Sequence, residues 1–361
     1  IDIGYIYLRE PQSPRSNLQL AMRLGQHADK SIKASAKIDQ LNIVPFLPAD
    51  VAKVLSGKLS GTLDYATDTS GKNITGGGTV SLANAALRNW DYLDHLAKRA
   101  GNPAFKNLPI HEASVAYALE SDVIRVSDLD IRAGEGITAS GRGSWHTQTS
   151  AATLALEVSG VPLGAYLPPN IAGSLRGAIG GTVEWSWQGT DIAKGKGGGT
   201  LSLEKPRLSG FQFQAFLDRF FKNSDYAEID LSQAGCSWRQ DHTGLYLDKI
   251  NILAPGQAGL RGSVQIAPDG ALSGTILAGL PESALKWLPD ATTTVFARSE
   301  DGLHWCSIEI SGTEHKPETD FTAQVLRQLE KHPIALAELT VRGISWWLGD
   351  ILHTKPAEEE G

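Results

Sequence analysis

The chain has 361 residues, 41% apolar and 20% charged, which places it among folded proteins and outside the disordered class. Its net charge of −7, with no long Lys/Arg cluster, excludes nucleic acid as a partner, because phosphate binding needs a concentrated basic surface. No apolar run reaches the roughly 18 residues that mark a bilayer-spanning helix.

Methionine occurs once, at Met22, and Ile1-Asp2-Ile3-Gly4-Tyr5-Ile6-Tyr7 reads as a strand already under way. The expectation is a natural N-terminus further upstream, with any signal or anchor. From there the apolar period is two almost throughout. Leu59, Gly61, Leu63 and Tyr65 form one alternating line, and Val115, Tyr117 and Leu119 another. Ala152, Leu154, Leu156 and Val158 alternate with Thr153, Ala155 and Glu157; Val183, Trp185 and Trp187 alternate with Thr182, Glu184, Ser186 and Gln188. Ile252 and Val264 hold the apolar register of later strands. Such alternation marks strands with one face in an apolar environment and the other in water. Asp68–Gly71, Gln240–Gly244 and Ala267–Ala271 supply Gly and Asp where hairpin turns need them.

Two stretches depart from this period, Asn89–Arg99 and Phe211–Phe221. Their apolar residues (Trp90, Leu93, Leu96, Ala97; Phe213, Phe216, Leu217, Phe220) have helical spacing, so short helices are predicted near 90–99 and 211–222. A longer helical pattern covers Asp320–His332, with Phe321, Val325, Leu326 and Leu329. Within Ile334–Leu352, Leu336, Leu339, Gly343, Ile344, Trp347, Leu348 and Ile351 share one helical face. That segment reads as a helix folded over the end of the sheet, the alternative being an interfacial membrane helix.

The elements recur. Leu47-Pro48 returns as Leu167-Pro168 and Leu288-Pro289; Gly61-Thr62-Leu63-Asp64-Tyr65 returns as Gly181-Thr182-Val183-Glu184-Trp185. Gly76-Gly77-Gly78-Thr79-Val80-Ser81-Leu82 returns as Gly197-Gly198-Gly199-Thr200-Leu201-Ser202-Leu203. A fixed period means one structural unit stacked on copies of itself. The division that follows is leading strands over 1–43, repeat one over 44–160, repeat two over 161–280, and a truncated third repeat with a C-terminal helical cap over 281–361. The fold class is mainly β: an elongated, curved antiparallel sheet of repeats of roughly 120 residues, with short helices.

Six strands per repeat would advance a sheet by roughly 30 Å, whereas a dozen helical residues span only about 15–18 Å. That cover is smaller than the face. Either a partly open apolar trough results, able to accept acyl chains, or the strands coil enough to bury their own faces as a sandwich or barrel.

Catalytic and metal-binding patterns are missing from the sequence. The nine histidines stand singly, without HxH or HExxH spacing, and Cys236 and Cys306 lack CxxC spacing. No GxSxG elbow is present, and Gly76–Gly78 and Gly197–Gly199 lead into strands rather than helix N-termini. Asp128 and Asp130 flank Leu129 on a solvent-facing edge, the ordinary place for such charges. The chain reads as no enzyme, with no cofactor and no metal. The two cysteines read as free, buried thiols in preference to a disulfide.

The order of elements, hairpin pair, Gly-rich turn, Thr-Val-Ser-Leu-type strand with a short helix (Leu82 to Arg99; Leu203 to Phe221), then strands ending in a Gly-rich tail such as Ile137–Gly143, resembles the C-terminal region of the AsmA-like family of Gram-negative envelope proteins. The resemblance covers residues 44 to about 313 and rests on pattern and order. It implies a taco-like sheet with a hydrophobic groove, a periplasmic location, and an inner-membrane anchor on a missing N-terminal helix. It also implies carriage of glycerophospholipid toward the outer membrane, or a part in outer-membrane assembly. The partners are then phospholipid acyl chains, the inner membrane and other envelope proteins. Val115, Tyr117, Leu119, Leu154, Leu156, Val158, Val183, Trp185, Trp187, Ile252 and Val264 are the candidates for lining the lipid groove. The alternatives are an assembly scaffold whose interior is merely a core, and a surface carbohydrate-binding β-protein.

Overall fold

The computed structural model describes residues 2–9, 17–24, 31–68, 73–90, 93–94, 97–98, 103–134, 136–166, 175–189, 191–209, 228–313 and 316–332. Of these described residues, strand makes up 69% and helix 14%, which bears out the mainly β expectation. The chain divides into two compact units, Ile1–Ala172 with Ala178–Gly197, and Gly173–Gly177 with Gly198–Gly361.

The first unit contains β1 (Asp2–Arg9), β2 (Asn17–Leu24), β3 (Ser31–Asn42), β4 (Leu55–Asp68), β5 (Ile74–Arg88), β6 (Asn107–Glu120), β7 (Val123–Ala133), β8 (Ile137–His146), β9 (Ala151–Pro162) and β10 (Leu175–Gln188). Each strand pairs antiparallel with the next, from β1–β2 through β9–β10, so this is an uninterrupted meander. Its helices are brief: α1 (Ala49–Val54), which follows Pro48, and α2 (Leu163–Tyr166). Of the helix predicted over 90–99, the described residues Leu93, Asp94, Ala97 and Lys98 are helical, and the Asp94 amide donates to the Trp90 carbonyl at 3.0 Å.

The second unit holds β11 (Lys196–Ser209), β12 (Glu228–Asp230), β13 (Gln233–Asp241), β14 (Gly244–Ala254), β15 (Ala258–Ile266), β16 (Leu272–Leu280), β17 (Arg298–Glu300), β18 (Leu303–Thr313) and β19 (Lys316–Thr319). Strands β13 to β16 again pair in succession, β18 pairs with β16, and β17 and β19 lie along the other side of β18. The turns follow their residues. Ala254-Pro255-Gly256-Gln257 closes β14–β15 with the Gln257 amide on the Ala254 carbonyl at 3.0 Å and Gly256 at φ 71°, as a type II turn requires. Asp301-Gly302, both at positive φ, form the two-residue turn between β17 and β18. Helix α3 (Glu282–Leu285) and helix α4 (Phe321–Leu329) complete the unit. The predicted pattern over 320–332 therefore forms a helix; the segments 211–222 and 334–352 lie outside the described residues.

The repeat is also written in the backbone. Non-regular, left-handed residues sit at Gln40, Asn84 and Asp128, and again at Gly160, Lys205 and Lys249, intervals of 120 (160 − 40), 121 (205 − 84) and 121 (249 − 128). At Gln40, Asn84, Asp128, Gly160 and Lys249 the strand register shifts, the mark of a β-bulge that adds one residue to a strand and increases its twist.

Candidate functional site

Residues directly opposite each other in an antiparallel pair share a face of the sheet. The registers of β3 to β10 therefore lay out cross-strand rows. One runs Ala34, Tyr65, Gly76, Leu119, Ile124, Trp145, Ala152, Trp187. The next runs Ala36, Leu63, Gly78, Tyr117, Val126, Gly143, Leu154, Trp185. The third runs Ile38, Gly61, Val80, Val115, then across a bulge to Leu129, Gly141, Leu156, Val183. The fourth runs Leu41, Leu59, Leu82, Ala113, Ile131, Ala139, Val158, Gly181. Every position in these rows is apolar or glycine. The intervening positions form the other face, which carries Lys33, Lys37, Asp64, Glu112, Arg125, Asp130, Arg132, Arg142, Glu157 and Glu184, all exposed.

Nine of the eleven candidate lining residues fall in this grid: Val115, Tyr117, Leu119, Leu154, Leu156, Val158, Val183, Trp185 and Trp187. Each is half-buried, neither sealed in a core nor bare. Ile252 and Val264 belong to the second unit and are half-buried too. Ile252 shares a row with Ala234, Leu260, Ala278 and Cys306, and Val264 one with Trp238, Leu247, Gly274 and Ile310. Trp185 is more tied down than alternation suggests. Its indole Nε1 donates to the Ile192 carbonyl at 2.9 Å, so the turn after β10 folds against it.

Tyr65 and Trp145, which the candidate set omits, are the large residues of the grid most open to solvent, at 39% and 47%. Trp145 escaped because β8 offers glycine and alanine at the neighbouring apolar positions, leaving its alternation with no hydrophobic signal. The glycines Gly76, Gly78, Gly141 and Gly143 keep β5 and β8 low between bulkier strands, and Leu156 and Leu154 lie close over Gly141 and Gly143. Burial, and then the charge of Asp64, raises the Tyr117 phenol above its ordinary value, so this ring is neutral.

Across the eight strands the grid measures roughly 34 Å (seven spacings of about 4.8 Å), and its four rows span about 20 Å along the strands. A half-exposed Leu or Val leaves on the order of 1 kcal/mol of burial unrealised, half of what full burial supplies. A face of this extent is a surface that gains free energy when something apolar covers it.

In the second unit the same kind of face is covered at β16 and β18. Leu285, Leu288, Ala291, Phe296, Cys306, Val325 and Leu329 form one buried cluster, contributed by α3, the segment after it, β18 and α4. Phe296 and Phe321 meet edge to face, ring centres 6.3 Å apart. The Gln324 side-chain amide donates to the Ser307 carbonyl at 2.8 Å, and that of Gln328 to the Pro289 carbonyl at 3.0 Å, fastening α4 to both sides of the cluster. Both cysteines are free thiols, Cys306 buried and Cys236 half-buried. They lie four strand spacings apart, about 19 Å, too far for a disulfide. Burial, then the charge of Asp320, pushes the Cys306 thiol up to about 11; burial alone raises Cys236.

Among the described residues no group of three or more His, Cys, Asp or Glu is placed to hold a metal ion, and no helix is long and apolar enough to cross a membrane. No protein-family model matches the chain, nor does any curated protein or solved structure.

Proposed function

We propose that this chain is a non-enzymatic envelope protein that holds or conducts glycerophospholipid on the apolar face of its sheet. One observation carries the reading: four consecutive rows across β3–β10 hold only aliphatic, aromatic and glycine residues and no charged one, yet all of them except Ile38 and Ala152 stay half-buried or exposed. An ordinary core would seal such residues, and an ordinary soluble surface would interrupt them with charge. A mobile acyl chain suits a broad apolar face better than a rigid polar ligand, which needs a few convergent hydrogen-bonding groups. The resemblance of residues 44 to about 313 to the AsmA-like family supports the periplasm of a Gram-negative cell as the setting. It supports an inner-membrane anchor and envelope proteins as partners in the same way.

The experiment is native mass spectrometry of the purified protein for bound phospholipid, with Leu156→Asp measured beside it. A single carboxylate among acyl chains costs several kcal/mol unless it is paired or reaches water. On an open face it displaces lipid while the neighbouring strands still satisfy the backbone. The expected result is bound lipid in the wild type, lost in Leu156→Asp with the thermal melt preserved. A collapsed melt, or a wild type that never holds lipid, supports the assembly-scaffold reading instead.

A further inference from the structure

The two long edges of the grid are built differently. At the edge beside Leu59, Leu82, Ala113 and Ile131, the connections between strands fold apolar residues inward: Ile43, Leu93, Ala97 and Leu163 are all buried. Ala85, Ile110 and Ala133 form a buried cluster there, packed by Leu82, Ala113 and Ile131. The opposite edge has short polar turns instead. Asn73, Ser121, Asp122, Thr147, Gln148, Thr149 and Ser150 stand there, and none of them is buried. Between those turns and the aliphatic rows lies the row that contains Tyr65, Trp145 and Trp187. Ala152, opposite both Trp145 and Trp187, is itself buried while Trp145 stays 47% exposed.

From the turn edge inward the order is thus polar and charged turns, a row with three amphipathic rings, then aliphatic rows and a sealed apolar edge. Charge begins only at the turn layer, with Asp122, Asp191 and Lys194. That order matches the profile of a two-tailed lipid, whose charged headgroup is followed by a glycerol ester region and then hydrocarbon. Tyr and Trp favour the boundary between such zones because each ring joins an apolar body to a polar hydrogen-bonding tip. The lengths agree as well. One leaflet's acyl chain occupies about 15 Å, half of a hydrocarbon core of about 30 Å, and the four rows span about 20 Å.

Building on the lipid-holding reading above, we propose that a bound diacyl lipid lies along the strands with its glycerol region at the Tyr65–Trp145–Trp187 row. Its headgroup faces the turns at Asp122 and Thr147, and its tail ends lie toward Ala113 and Ile131. The turn edge is then where lipid enters and leaves the face sideways, and the sealed edge is a stop for the tails.

The test is depth-dependent fluorescence quenching. The full chain is loaded with diacyl phosphatidylcholine brominated either next to the glycerol ester or near the methyl end of the tails. The emission of Trp145 and of Trp187 is isolated by subtracting Trp145→Phe and Trp187→Phe from the wild type. Mass spectrometry reports the lipid bound to each sample, and melts confirm that each variant folds. The expected result is quenching of both residues about two-fold stronger by the ester-proximal bromine than by the distal one. Trp305, buried on β18 of the second unit with the Arg261 guanidinium 4.5 Å from its ring centre, serves as the unquenched control through Trp305→Phe. Lipid that binds with equal or stronger quenching by the distal bromine overturns this orientation and leaves the lipid-holding reading standing. Absence of bound lipid from every sample overturns both.

Discussion

The face of β3–β10 and the face of β16–β18 arise from the same alternating pattern and reach different ends. On β18, Cys306 is wholly buried under Leu285, Phe296 and Val325, which come from α3, the segment after it and α4. On β9, Leu154 and Leu156 have the same strand geometry and remain half-buried. The strands do not make the difference; the cover does. Alternation therefore says that a face is apolar, and only the following connection says whether that face is a core or a surface awaiting a partner.

This contrast breaks most easily under substitution. Phe296→Ala should cost about 3–5 kcal/mol, as for a large side chain removed from a sealed core. Leu154→Ala should cost only about 1 kcal/mol, because half of its surface already meets solvent. Urea unfolding of the two variants checks this, and equal losses would mean that β9 faces a filled core. The next effect is a pH dependence confined to the capped region. The Cys306 thiol is held up near 11, so the folded state keeps a proton that the unfolded chain releases from about pH 9. Its contribution is present in full below that pH and is lost as pH rises toward 11, by up to about 3 kcal/mol. Cys306→Ala should flatten the fall between those limits in a pH series of unfolding midpoints.

A smaller effect tests the bulges that both units share. Lys249 is left-handed at φ 52°, where a β-branched residue is strained. Lys249→Val should destabilise by about 1–2 kcal/mol, while Lys249→Gly should be neutral or slightly stabilising, as thermal melts would show. The smallest effect belongs to the polar face. Arg132 lies 3.5 Å from Glu112 with both side chains exposed, and Arg132→Ala should move stability by less than about 0.5 kcal/mol. A larger loss would mean that this face, too, is covered.

Much of this architecture was legible. Period two located the strands, and helical spacing located the helical residues Leu93, Asp94, Ala97 and Lys98 and the whole of α4. The bulges left a trace that alternation alone passes over. Apolar residues three apart, Ile38 and Leu41, Val126 and Leu129, Val158 and Val161, Leu247 and Ile250, bracket them and keep one face apolar across the extra residue. The lining of β9 and β10 was readable because Leu, Val and Trp alternate with Thr, Ser and Glu. The lining of β5 and β8 was not, since glycine carries no hydrophobic signal and Trp145 stands alone on its strand. The cap was legible only in α4. Leu285, Leu288, Ala291 and Phe296 lie on short turns with no sustained period, and tertiary packing brings them together.

The bulges also fix where this chain can change length. Within a regular strand the side-chain period is two, so losing one residue turns every later side chain in that strand to the opposite face. Removing Leu156 outright would send part of β9's apolar set onto the charged face and Thr or Glu onto the apolar face. At Gln40, Asn84, Asp128 or Lys249 the arithmetic is different, because there two residues already oppose one. Deleting the extra residue restores simple pairing and leaves both flanks facing as before. Each repeat thus behaves like a message read in twos with a few tolerated slips. Natural length variants of this protein should cluster at those slips and in the turns, and be rare between them.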